Sequence, residues 1–93
     1  MILHSASPSE VVIYTTDSCP YCLQAKRLLT QRAVPFREIH VAYENDALWD
    51  ALYEKSGMKT MPQIFKGENL IGGYRELALL DQKDGLKSLV ESA

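Results

Sequence analysis

The chain has 93 residues, 46% of them hydrophobic, which allows one small domain with a modest core. The formal net charge of −2 argues against a nucleic acid or an anionic membrane surface as partner. No apolar run approaches the ~20 residues that cross a bilayer.

Residues 1–10 are rich in Ser and Pro and lack the basic start and long apolar stretch of a secretory signal. They read as a loose arm before a domain over 11–93. Val11 to Thr15, rich in β-branched and aromatic residues, reads as a buried strand. A helical pattern from Leu23 to Arg32 puts Leu23, Ala25, Leu28, Leu29 and Ala33 on an apolar side, and Pro35 ends it. Phe36 to Val41 alternates as a strand with one wet face. Asn45 and Asp46 are N-cap candidates for a helix that carries Ala47, Leu48, Ala51 and Leu52 at helical spacing and closes at Gly57. Pro62 leads a short strand, Gln63 to Lys66. Gly67-Glu68-Asn69 reads as a hairpin turn into Leu70-Ile71. Gly72-Gly73 breaks the chain before a helix from Tyr74 to Gln82, with Leu77, Leu79 and Leu80 apolar. Asp84-Gly85 interrupts, and Leu86 to Val90 adds a last helical turn. The order β-α-β-α-β-β-α implies a parallel pair with a right-handed crossover, then an antiparallel hairpin.

The chemistry sits in Cys19-Pro20-Tyr21-Cys22, which holds both cysteines of the chain. Two intervening residues allow the sulfurs to come within bonding range. A preceding strand and a helix opening at the motif make this a redox context. The attacking species in disulfide exchange is the thiolate, and free N–H groups at a helix start favour it. Cys19, at the helix start, is therefore expected as nucleophile, largely thiolate at neutral pH, and Cys22, one turn in, as resolving thiol. Pro20 suits the first helical position, where its missing N–H costs nothing. A structural disulfide closing so short a loop removes little unfolded-state entropy. A zinc site needs two further ligands, and the two histidines, His4 and His40, lie far from that spacing. His40 reads as structural, and Trp49, Tyr43 and Tyr53 as packing residues. No metal is expected.

Val12-Ile13-Tyr14, the Cys19–Cys22 motif, Ala25-Lys26, Thr60-Met61-Pro62-Gln63-Ile64-Phe65 and Ile71-Gly72-Gly73 together resemble a glutaredoxin of the dithiol type. The resemblance runs from about Val11 to Val90. It implies an α/β thioredoxin-like fold, a four-stranded mixed sheet flanked by helices. It implies reduction of protein disulfides and glutathione mixed disulfides, with glutathione as reductant and co-substrate. By the same resemblance Tyr21 packs beside glutathione, and Pro62 is cis. Thr60 and Met61 lie along the cysteinyl unit, with Met61 offering backbone N–H and C=O. Gly73 and Tyr74 open a helix whose N–H groups receive the γ-glutamyl carboxylate.

Two positions depart from the family. Thr16 stands where many relatives carry a Lys or Arg for the glycyl carboxylate, and Lys59 is the substitute cation. Tyr74 and Arg75 stand where relatives show a small residue and then Asp, so Arg75 meets the γ-glutamyl end in place of an acid, with Glu76 one position on. Two other functions compete: a thioredoxin-like reductant recycled by a flavoprotein reductase, and a glutathione-ligated iron–sulfur carrier, against which Pro20 argues. A cytoplasmic monomer is expected, acting on glutathione and disulfide-containing proteins.

Overall fold

The computed structural model describes residues 10–83 together with Gly85 and Leu86. Its elements are β1 (Val11–Thr15), α1 (Pro20–Gln31), β2 (Arg37–His40), α2 (Asp46–Ser56), β3 (Gln63–Lys66), β4 (Asn69–Gly72) and α3 (Tyr74–Gln82). One sheet runs in the order β2-β1-β3-β4. β1 pairs parallel with β2 and antiparallel with β3, and β3 pairs antiparallel with β4. The expected four-stranded mixed sheet is therefore present.

All five residues of β1 are buried because helices cover both faces of an interior strand. Val11 and Ile13 point to one face, where they meet Ala25 and Leu29 of α1, Ile64 and Leu77 of α3. Val12 and Tyr14 point to the other, with Val41, Leu52 of α2 and Phe65. There the Tyr14 and Phe65 rings meet edge to face, 5.7 Å apart. Burial pushes the Tyr14 hydroxyl above its usual range, with the Glu68 carboxylate adding to the effect.

Local signals set the element ends. Asn45 caps α2, its side chain accepting the Leu48 N–H at 3.2 Å. Gly57 closes α2 at φ 74°, a conformation glycine adopts without a Cβ penalty. Gly67, at φ 59°, is the first of two turn residues between β3 and β4, and its N–H bonds the Glu10 carbonyl at 2.8 Å. Glu10, assigned to the arm from sequence, is thus tied to the sheet. Residues 1–9, and Asp84 and 87–90 of the expected last turn, lie outside the described residues.

The apolar stripes are narrower than the sequence reading. Leu23, expected on the apolar side of α1, is 47% exposed, Ala47 of the helical repeat in α2 is exposed as well, and Leu79 of α3 is 48% exposed. In α1 the inward positions are Cys22, Ala25 and Leu29, and Leu23 falls outside that stripe. Ala33, also placed on the helix, lies beyond its end at φ 58°. The Ala33 N–H bonds Thr30 O at 3.1 Å and the Val34 N–H bonds Leu29 O at 2.9 Å. This is a Schellman closure, with Val34 and Leu29 in the same core cluster and alanine where glycine is usual. At the same end, Arg32 Nε and the second guanidinium nitrogen, Nη2, donate to the two Asp81 oxygens at 2.7 and 3.1 Å, tying α1 to α3. That hydrogen bonding holds the Asp81 carboxyl below its usual range.

The left-handed conformation costs a non-glycine residue roughly 1 kcal/mol. Ala33→Gly is therefore expected to stabilise the protein by about that amount, raising Tm by about 4–8 °C in a thermal melt.

Candidate active site

β1 delivers the chain to the site, and three contacts hold the loop that follows. The Thr16 hydroxyl donates to Val41 O at 2.7 Å, Asp17 Oδ1 pairs with His40 Nε2 at 2.9 Å, and the Tyr43 hydroxyl donates to Asp17 O at 2.7 Å. Tyr43 in turn stacks on Trp49, ring centroids 6.2 Å apart. His40, Tyr43 and Trp49 thus do structural work, as their sequence context implies. Ser18, at φ 53°, then turns the chain into α1.

Cys19 is the N-cap of α1 and Pro20 its first residue. The Cys22 N–H points at Cys19 Sγ, 3.2 Å away, so sulfur fills the capping role usually taken by a side-chain oxygen. Cys19 and Cys22 are joined in a disulfide, with Cα atoms 5.2 Å apart. Cys22 is buried and Cys19 partly exposed, so Cys19 is the more accessible of the two residues. No acidic residue lies in the first turn of α1, so no side-chain anion there opposes a thiolate.

Facing the disulfide is the loop before β3. The Met61–Pro62 peptide is cis, as the resemblance implies. Met61 O lies 3.6 Å from Cys19 Sγ, a contact and not a hydrogen bond while the sulfur is oxidised and carries no proton. Gln63 braces this loop from beneath. Fully buried, it donates from Nε2 to Met58 O and Thr60 O, each at 3.1 Å, while its Oε1 finds no partner among the described residues.

A groove of about 540 Å³ opens beside the disulfide. Its lining includes Tyr21 of the cysteine motif, Thr60, Met61 and Pro62 of the cis-proline loop, and Gly73, Tyr74 and Arg75 at the start of α3. Tyr21 and Tyr74 stack at 6.0 Å. Seven of the eight residues expected to bind glutathione are thereby brought together. The eighth, Lys59, is not among the lining residues; its ammonium lies over the Tyr53 ring, 5.1 Å from the centroid. Arg75 supplies the cation among the lining residues. Glu76 also faces the groove, and its Oε1 accepts the Gly73 N–H at 2.7 Å, closing half a capping box, since glycine has no side chain to return the bond.

The sequence reading assigned no bracing role to Gln63 and none of the groove to Met58. A glutamine directly after Pro62 and before Ile64-Phe65 is the available signal, because a polar residue in a buried strand needs partners. Among the described residues no cluster of three or more His, Cys, Asp or Glu is placed to hold a metal, and no helix is long and apolar enough to cross a membrane.

A four-stranded mixed sheet with a C-x-x-C disulfide at a helix N-terminus and a cis-proline loop opposite defines a thioredoxin-like thiol–disulfide oxidoreductase. The family model described as Glutaredoxin matches residues 11–71. Glutaredoxin 3 of Escherichia coli K12 is 40% identical over 83 residues, 89% of this chain and 99% of that protein. The solution structure of glutaredoxin from Brucella melitensis aligns with TM-score 0.78 at 38% identity, covering 89% of each chain. The crystal structure of a buckwheat glutaredoxin–glutathione complex aligns with TM-score 0.77 at 26% identity, covering 85% of this chain and 74% of that one. The chain belongs to the glutaredoxin family and is a thiol–disulfide oxidoreductase of that type.

Two predictions concern the frame of the site. Replacing Gln63 with Leu removes its two hydrogen bonds to the Met58 and Thr60 carbonyls, so Gln63→Leu is expected to destabilise by about 1–3 kcal/mol, read from urea unfolding. Glu38 Oε2 accepts from the Thr15 hydroxyl at 2.7 Å and from Lys26 Nζ at 3.0 Å, linking β2 to β1 and α1. The Thr15 hydrogen bond, then the Lys26 contact, holds its carboxyl below the ordinary 4.5. A depressed folded pKa gives stability that is present above the unfolded value and lost as pH falls through the folded one. The urea midpoint should therefore drop less between pH 7 and about pH 3 in Glu38→Gln than in the parent.

Proposed function

We propose that this chain uses glutathione to reduce protein disulfides and glutathione mixed disulfides, as a dithiol enzyme of the C-P-Y-C type. The observation that carries the reading is the Cys19–Cys22 disulfide at the start of α1, with the Cys22 N–H on Cys19 Sγ. In the reduced protein that N–H and the helix terminus stabilise negative charge on Cys19. The Cys19 thiolate attacks one sulfur of the substrate disulfide. That bond breaks, a Cys19–substrate disulfide forms, and the other substrate sulfur leaves as a thiolate and takes a proton. Cys22, as thiolate, then attacks Cys19 Sγ, releases the second substrate thiol and closes the Cys19–Cys22 disulfide. Two electrons have passed to the substrate. Two glutathione thiols reverse the closure by the same exchange and end as glutathione disulfide. With a glutathione mixed disulfide, Cys19 takes the glutathionyl group and a second glutathione removes it, so Cys22 is dispensable.

The groove supplies the rest of the reading. Tyr21, Thr60, Met61 and Pro62 flank the cysteinyl unit, with Met61 backbone groups beside Cys19. The Tyr74 N–H at the start of α3 and the Arg75 guanidinium receive the γ-glutamyl carboxylate. Lys59 meets the glycyl carboxylate only by leaving the Tyr53 ring. The relative solved with glutathione supports this choice of ligand. A monomer of one domain over 11–93, in a cytoplasm that keeps thiols reduced, fits the reaction.

One observation favours a second reading. The Glu76 carboxylate occupies the Gly73 N–H, a donor that a ligand carboxylate would otherwise use. A protein so built suits electrons from a flavoprotein reductase. Turnover of a small glutathione mixed disulfide separates the two: glutathione with its reductase should support it, and thioredoxin reductase should not. In that assay Cys22→Ser is expected to retain activity and Cys19→Ser to fall to the uncatalysed rate. Equal loss in both would refute the division of roles.

A further inference from the structure

The groove does not end where glutathione would. Tyr74, Ala78 and Gln82 follow one another at four-residue spacing along its wall, and Leu79 sits one turn beyond Arg75. The wall therefore runs the length of α3, about 12 Å from Tyr74 to Gln82. The glutathione reading uses the end nearest the disulfide and gives Ala78 and Leu79 no task. Leu79 is 48% exposed, although its helix buries apolar residues elsewhere, and Tyr21 is 60% exposed. Between them the Tyr21 and Tyr74 rings lie nearly parallel, 24° apart, so apolar surface continues from the cysteine motif to the far part of α3.

We propose that the Tyr74–Leu79 stretch of α3 is a subsite for a large apolar side chain of a protein substrate, carried two residues from its disulfide cysteine. The occupant follows from continuity with the reacting sulfur. Met61, whose carbonyl oxygen lies 3.6 Å from Cys19 Sγ, lines the groove, so a segment attacked at Cys19 borders it, and in an extended segment residues two apart share a face at roughly 6–7 Å spacing. A leucine or phenylalanine there covers Leu79 and the Tyr74 ring, whereas glycine leaves them wet. The subsite selects among protein disulfides and rests on the proposed exchange at Cys19.

The test uses the reduced full chain in single turnover, without glutathione, against symmetric peptide disulfides whose cysteine is followed by Gly-Phe or by Gly-Gly. Glutathione disulfide serves as the reference substrate. The Phe peptide is expected to react about three- to tenfold faster than the Gly peptide, the gain available from partial apolar burial. In Leu79→Ser, whose substitution lies on an exposed position, that ratio is expected to fall toward one. Equal rates for the two peptides, or a ratio unchanged in Leu79→Ser, overturn the subsite while leaving the exchange reading intact. Concentration-dependent dimerisation that Leu79→Ser abolishes also overturns it, since Leu79 would then serve a second copy of the chain. Failure of every disulfide to react, the reference included, defeats the exchange reading itself, and the subsite with it.

Discussion

The Cys22 N–H directed at the sulfur of Cys19 is the contact on which the site depends. A helix begins with N–H groups that its own carbonyls cannot reach, and most helices spend a serine, threonine or aspartate on them. Here the cap is a sulfur of the disulfide, so one contact both starts α1 and places that atom against a partial positive charge. The loop before it is held at Thr16 by Val41 and at Asp17 by His40 and Tyr43, which fixes where the cap stands. Asp17, the carboxylate of that loop, is engaged by His40.

The sheet makes that arrangement stiff. β1 is buried on both faces and ends at the loop that carries the cysteines. β3, its antiparallel neighbour, begins at the proline opposite them. The two halves of the site are therefore ends of hydrogen-bonded strands, and their separation is set by the ladder. Gln63 finishes the job beneath the proline loop, exchanging a buried, unsatisfied carbonyl oxygen for two bonds to the loop backbone.

Much of this is legible in the residues. Val11 to Thr15 announces a buried strand, Gly57 a helix end, and C-x-x-C after a strand a redox helix start. Periodicity misled at Leu23 and Ala47 because it assumes that each apolar residue on a helix seeks the core. On helices that cover a sheet from one side the buried stripe is narrow, and residues at its margin stay wet. Ala33 was illegible for another reason: a left-handed closure without glycine leaves no mark in the sequence, and only the bonds to Thr30 and Leu29 reveal it. The cis state of Pro62 was available solely through resemblance, and the Glu76 cap of Gly73 depends on a side-chain rotamer that no spacing encodes.

The paired Arg32–Asp81 bonds give the groove a mechanical character. They join α1 and α3 at the end of α1 remote from the cysteines, next to Gln82 on the groove wall. Ala25 and Leu29 of α1 share one buried cluster with Leu77 of α3, and the Tyr21 and Tyr74 rings stack at the other end. The two helices are thus fastened three times along their length, by an ion pair, by apolar packing and by paired rings. Such a seam keeps the groove's frame in register with the strands beneath it.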